Sequence, residues 1–131
     1  YGFAYFCPPA GDSSAYWVAD DCADKDPYTL VAPEPTDVSG EYAAVVAFKE
    51  TNPTLKVLLS VGGWNFPSAY FSKMVATSDS RAAFIASCQD VMDQYGFDGI
   101  DLDWEYPGSP ERTDPVKIDC DTFKTTTDNG G

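Results

Sequence analysis

Residues 97–108 read FDGIDLDWEYPG, a segment in which Asp98, Asp101, Asp103 and Glu105 fall within eight positions and the last three alternate with Ile100, Leu102 and Trp104. In an extended strand successive side chains point to opposite faces. The spacing therefore predicts a strand with Ile100, Leu102 and Trp104 on one side and Asp101, Asp103 and Glu105 on the other. Carboxylates two residues apart on one face stand roughly 7 Å from each other, and the segment holds no lysine or arginine to offset their repulsion.

Three readings compete for such a strand. A solvated face would alternate in the same way, but it would normally mix Lys, Thr, Ser and Arg among its acids. A site for a hard cation would use oxygen ligands, yet the spacing is not that of a calcium loop, and acids at i and i+2 on one straight strand converge poorly on a single ion. No metal is expected. The third reading is acid catalysis: neighbouring carboxyl groups cannot all ionise cheaply, so one keeps its proton to higher pH and can act as a general acid. Glu105 stands at the end of the strand, where ligands meet chemistry in parallel α/β folds. It is the expected acid, with Asp103 and Asp101 tuning it.

The neighbouring sequence supplies the rest of a parallel sheet. YGFAYF, residues 1–6, is an apolar run halted by Pro8 and Pro9, and reads as a buried strand. Residues 8–36 carry prolines, aspartates and a cysteine without periodicity, and read as a long ordered loop. From Val38, Tyr42, Val45, Val46 and Lys49 recur at helical spacing until Asn52 and Pro53, a helix of about three turns. LKVLLSVGG, residues 55–63, reads as a strand buried on both faces, and WNFPSAYF as an aromatic connection. Residues 79–95 place Phe84, Cys88, Val91, Met92 and Tyr95 on one stripe, with Asp79 or Ser78 as cap and Gly96 just past the end. The order strand, helix, strand, helix, strand predicts about three parallel strands joined by two crossover helices. Residues 107–131 are polar and aperiodic, a loop or tail.

Composition narrows the function. The chain has 131 residues, 44% of them hydrophobic, enough for one domain with a core. With 21 acidic residues against 8 basic ones the net charge is -13. Nucleic acid and anionic membrane surfaces are therefore disfavoured as partners, because both draw affinity from basic residues. A neutral carbohydrate is compatible, and three Trp, eight Tyr and eight Phe supply faces for stacking. There is no histidine, which removes Ser/His and Cys/His triads and most catalytic zinc sites. Cys7, Cys22, Cys88 and Cys120 allow three disulfide connectivities. Cys7 with Cys22 is the first expectation, and Cys88, inside a helical stripe, reads as a buried thiol.

The segment FDGIDLDWEYP resembles the signature DxxDxDxE of glycoside hydrolase family 18, the chitinases and their relatives, with Asp98, Asp101, Asp103 and Glu105 at its four acidic positions. A second family motif, SxGG, is matched by Ser60, Val61, Gly62 and Gly63 and runs on into Trp64, and the opening YGFA is similar to the family's second strand. The resemblance implies strands two to four of a (β/α)8 TIM barrel. It implies a secreted hydrolase that cleaves β-1,4 linkages between N-acetylglucosamine units of chitin with retention, without a cofactor, and as a monomer when full length. Glu105 would then be the proton donor, Asp103 would hold and polarise the substrate's N-acetyl group, and Asp101 would exchange a hydrogen bond with Asp103. The acetamido oxygen of the substrate serves as nucleophile, an exception to the usual two-carboxylate scheme. Ser60 would support Asp101 by hydrogen bonding, Asp98 would shape the start of the strand, and Gly62 and Gly63 would leave room at its crowded end. Trp64, Tyr106 and Phe3 would line the sugar cleft, with WNFPSAYF at its rim and Trp104 packed beneath the helices. An endo-β-N-acetylglucosaminidase acting on N-glycans and a non-catalytic chitin-binding lectin are the alternatives, the second typically lacking the acid that Glu105 supplies. A complete barrel of this type needs about 250 residues, and the sequence opens without Met or a signal peptide, so the chain is expected to be an internal piece of the catalytic domain, poorly stable and with little activity by itself.

Overall fold

The computed structural model describes residues 2–12, 21–31 and 39–108. Its elements are β1 (Gly2–Phe6), β2 (Leu30–Val31), α1 (Ser39–Thr51), β3 (Leu58–Gly62), α2 (Ser68–Ala76), α3 (Ser78–Tyr95) and β4 (Gly99–Asp103). The four strands form one sheet in the order β2-β1-β3-β4. β1 and β3 are parallel, as are β3 and β4, while β2 lies antiparallel along the other side of β1. The fold is α/β with a mostly parallel sheet.

The two faces of the sheet differ as the alternation requires. Ala4 and Phe6 of β1 and Leu59 and Val61 of β3 are fully buried beneath the helices. Phe6 meets the rings of Phe66, Phe71 and Phe84 edge-on at 4.7–5.3 Å, a geometry in which ring edges approach the electron-rich faces favourably. On the opposite face Phe3 is 54% exposed and Leu58 is 46% exposed. The expectation that 55–63 is buried on both faces is thus corrected: the strand is Leu58–Gly62, and its second face is only partly covered.

The helices form where their termini are satisfied. Thr77 opens α3 with a reciprocal cap, its hydroxyl accepting from the Ser80 N–H while the Ser80 hydroxyl accepts from the Thr77 N–H. Gly96 closes α3 in the left-handed conformation, φ 83°, and its N–H donates to the Met92 carbonyl at 2.8 Å. The cap is Thr77 and not the expected Asp79 or Ser78. The hydroxyl of Tyr42, buried on α1, donates to the Phe3 carbonyl and so ties α1 to β1. Burial, helped by Tyr95, Tyr5 and Glu41, pushes that phenol up to about 12, so it stays a neutral donor.

Three further expectations need correction. The second crossover contains two helices, α2 and α3, which makes three helices among the described residues where two were expected. α2 takes up the second half of WNFPSAYF, whose Phe66, Tyr70 and Phe71 are buried in the core and not arrayed at a rim. The loop at 8–36 also contains β2, whose Leu30 N–H donates to the buried Ser87 hydroxyl of α3 at 2.8 Å. Cys7 and Cys22 are joined by a disulfide, with Cα atoms 5.6 Å apart. Cys88 is a free, buried thiol that burial pushes up to about 12, far from a reactive thiolate. Cys120 and most of the segment 107–131 lie outside the described residues.

Candidate functional site

β4 carries its acids from bottom to top of the sheet. Asp98, one residue before the strand, is bound to Val57 twice: its N–H donates to the Val57 carbonyl at 2.8 Å, and its Oδ2 accepts the Val57 N–H at 2.9 Å. Lys49 of α1 reaches the same Oδ2 at 2.8 Å and also donates to the Gly96 carbonyl at 3.0 Å, while Lys56 approaches Oδ1 at 3.3 Å. The hydrogen bonds from Lys49 and from the Val57 backbone hold the Asp98 carboxyl well below the usual carboxylate range. Asp98 therefore pins the lower end of β4 beside the start of β3 as an anion.

Higher up, Asp101 is in register with Ser60 and Asp103 with Gly62, and Ser60 in turn is in register with Phe3 of β1. Partners in a parallel ladder share a face, so Phe3, Ser60, Asp101 and Asp103 lie on the side away from the helices. Ser60 is almost fully buried, and Asp101 is exposed beside it. No hydrogen bond joins these two side chains among the described residues. Asp103 is half-buried at the last position of the strand. Its carbonyl accepts the Gly63 N–H at 2.9 Å, and its Oδ2 lies only 3.3 Å from where a β-carbon on Gly63 would stand.

The double glycine is what makes this approach available. Gly62 has φ 106° and Gly63 φ 87°, a region that costs a side-chain-bearing residue. A β-carbon on Gly62 would sit 2.7 Å from the Phe71 ring and 2.8 Å from the Asp103 carbonyl oxygen. At Gly62 the two chains pass at a distance that only glycine allows, and at Gly63 the carboxylate leaves a side chain little room.

Glu105 lies two residues beyond the end of β4, half-buried, and the peptide that follows it is cis. Its neighbours on both sides are bound to one side chain of α2. The Trp104 indole N–H donates to the Ser68 hydroxyl at 2.8 Å, and that hydroxyl donates to the Tyr106 carbonyl at 3.4 Å. The Trp104 ring also stacks on Phe71, centroids 5.5 Å apart and planes 13° from parallel. Trp104 thus packs against α2 and not toward the acid face. Trp64, 36% exposed, follows the glycine pair, and Tyr106 is 57% exposed.

Among the described residues no lysine or arginine forms an ion pair with Asp101, Asp103 or Glu105, and no group of three metal-ligating side chains is present. The upper end of β4 is a concentration of carboxyl groups without a balancing cation. Such a set can deliver a proton and can stabilise positive charge on a bound molecule. Sequence reasoning did not find Lys49 or Ser68 as parts of this arrangement. Lys49 was visible only as a member of the α1 stripe. Ser68 was hidden in an aromatic run whose Tyr70, Phe71 and Met74 do carry the i, i+1, i+4 spacing of a helix.

Comparison with known proteins gives these features a lineage. The probable endochitinase of Caenorhabditis elegans is 46% identical over 86 residues, which cover 61% of this chain and 14% of that protein. Chitotriosidase-1 of Mus musculus is 48% identical over 67 residues, 51% of this chain and 14% of its own length. Among solved structures, the immunomodulatory active chitinase TsES1 from Trichuris suis superposes with a TM-score of 0.55 at 48% identity, covering 60% of this chain and 22% of that one. The Group IV chitinase of Ostrinia furnacalis in complex with allosamidin gives 0.55 at 42% identity, with coverage of 60% and 21%. The chain spans 14% of the length of the two curated relatives. The model for glycosyl hydrolases family 18 matches residues 1–127, and the chain belongs to that family.

Proposed function

We propose that this chain is part of the catalytic domain of a secreted chitinase and supplies strands two, three and four of its (β/α)8 barrel as β1, β3 and β4. The observation that carries the reading is the upper end of the β3–β4 pair, where Asp103 lies against the glycine turn and Glu105 follows two residues later, with no cation among the described residues paired to either. The C-terminal end of parallel strands is where ligands meet catalytic groups in such barrels. Several similar proteins carry chitinase or endochitinase in their names.

In this reading the substrate is chitin or an N-acetylglucosamine oligosaccharide. Glu105 protonates the glycosidic oxygen, and the C–O bond to the leaving sugar breaks as the substrate's acetamido oxygen closes on the anomeric carbon. Asp103 holds and polarises that N-acetyl group, with Asp101 beside it to exchange a hydrogen bond. Glu105, now a carboxylate, then takes a proton from water as the water opens the cyclic intermediate, and the configuration at the anomeric carbon is retained. Ser60 stands in register with Asp101 and Asp98 anchors the start of the strand, and Trp64, Tyr106, Phe3 and Gly63 border the sugar. The active unit is the full-length monomer, with the isolated chain showing little activity.

Glu105→Gln in the full-length protein carrying this chain tests the assignment. Removal of a general acid lowers turnover of a chitin oligomer by about three orders of magnitude, while binding of the same oligomer, followed calorimetrically, is retained. Turnover within tenfold of the parent protein would sink the assignment.

A further inference from the structure

We propose that Ser68 is a positioning residue for Glu105, its single hydroxyl holding the residues on both sides of the acid, Trp104 by its indole N–H and Tyr106 by its backbone carbonyl. The inference rests on Glu105 being the proton donor, and it concerns how that carboxyl is kept in place once the strand has ended. β4 stops at Asp103, so the ladder that fixes Asp101 and Asp103 does not extend to residue 105. What borders residue 105 instead is the pair of bonds from Trp104 and to Tyr106, and both meet at the Ser68 oxygen.

The chemistry of the three groups fixes the direction of both bonds. An indole N–H only donates and a carbonyl only accepts, whereas a hydroxyl has one proton to give and lone pairs to receive. Ser68 is therefore poised to accept from Trp104 and to donate to Tyr106 at once, and an alanine can do neither. The site is 3% exposed, so water is not at hand to replace the oxygen. Its mounting is firm as well: Ser68 is the first residue of α2, and Ala69, Tyr70, Phe71 and Met74 of that helix are buried. Phe71 is the ring on which Trp104 stacks, so one helix fixes both the face and the polar edge of the indole. The acid between two residues held in this way inherits its placement from α2.

The test uses the full-length protein carrying this chain, with kcat and KM for a chitin oligomer measured below the unfolding temperature of each variant. Ser68→Ala is expected to lower kcat about tenfold and to leave KM within about twofold, the signature of a misplaced reacting group and not of lost substrate contact. Trp104→Phe keeps the stack on Phe71 and removes one of the two bonds, so it lowers kcat less. The double variant loses less than the product of the single losses, because the two changes break one bracket. Ser87→Ala serves as the control: it deletes another buried hydroxyl, bonded to the Leu30 N–H and the Phe84 carbonyl, and should lower the melting temperature with kcat unchanged. A folded Ser68→Ala protein with unchanged kcat, multiplicative losses in the double variant, or an equal fall in kcat for Ser87→Ala would each overturn the proposal. If Ser68→Ala does not fold, Trp104→Phe decides alone, and an unchanged kcat there counts against the bracket. Persistent turnover in Glu105→Gln marks failure of the catalytic assignment itself, which separates the two questions.

Discussion

The two ends of β4 carry the same functional group in opposite circumstances. At the lower end Asp98 is met by two lysines and a backbone N–H, and its charge is spent on joining α1, β3 and β4. At the upper end Asp103 and Glu105 have no cationic partner among the described residues, and backbone glycines and a buried serine hold the chain around them. The contrast shows that in one motif of four acids a carboxylate becomes structural when cations reach it. It stays available for chemistry when the scaffold is built from neutral groups instead.

The upper end should be the easier of the two to break. Gly62→Ala places a β-carbon within 2.7 Å of Phe71 and 2.8 Å of the Asp103 carbonyl at φ 106°. Backbone strain and overpacking together should cost about 3 kcal/mol or more, read as a lowered urea midpoint. A midpoint equal to that of the parent protein would mean that the turn relaxes freely and does not hold Asp103.

The lower end should respond to acid. The Asp98 carboxyl is depressed in the folded state relative to its unfolded value of about 3.9. The stability it contributes is therefore fully present above that value and is lost as pH falls toward the folded one. Asp98→Asn should lie below the parent protein in urea midpoint at pH 6, and the gap should narrow at pH 3. A gap of the same size at both pH values would contradict the role given to its charge.

The smallest effect belongs to Lys56. Its side chain is 75% exposed and lies 3.3 Å from Asp98, against 2.8 Å for the less exposed Lys49. Exposed pairs are weak because water already screens them. Lys56→Met should leave the midpoint within error, and a clear loss there would shift the anchoring role away from Lys49.

How much of this was legible depended on whether side chains or backbone carried the information. The alternation in GIDLD gave away β4 and the shared face of Asp101 and Asp103, and the stripe from Phe84 to Tyr95 with Gly96 behind it gave away α3. α2 was missed because its aromatic residues suggest a sugar platform as readily as a core, and only burial separates the two. β2 has two residues, too short for any period. The pair of hydrogen bonds between Asp98 and Val57 uses one backbone N–H and one backbone carbonyl of a valine, which leave no mark on residue identity. Ser68 was obscure for a related reason: a hydroxyl that bridges partners 36 and 38 positions away looks the same in sequence as one that faces solvent.

The Cys7–Cys22 bond has a practical corollary. It closes the segment leaving the top of β1, at the edge where the parallel strands end. Protein matured among reducing thiols would keep Cys88 shielded inside the helix layer yet lose that latch. Producing the molecule in an oxidising compartment keeps that latch closed, and a thiol count on the purified product is its simplest check.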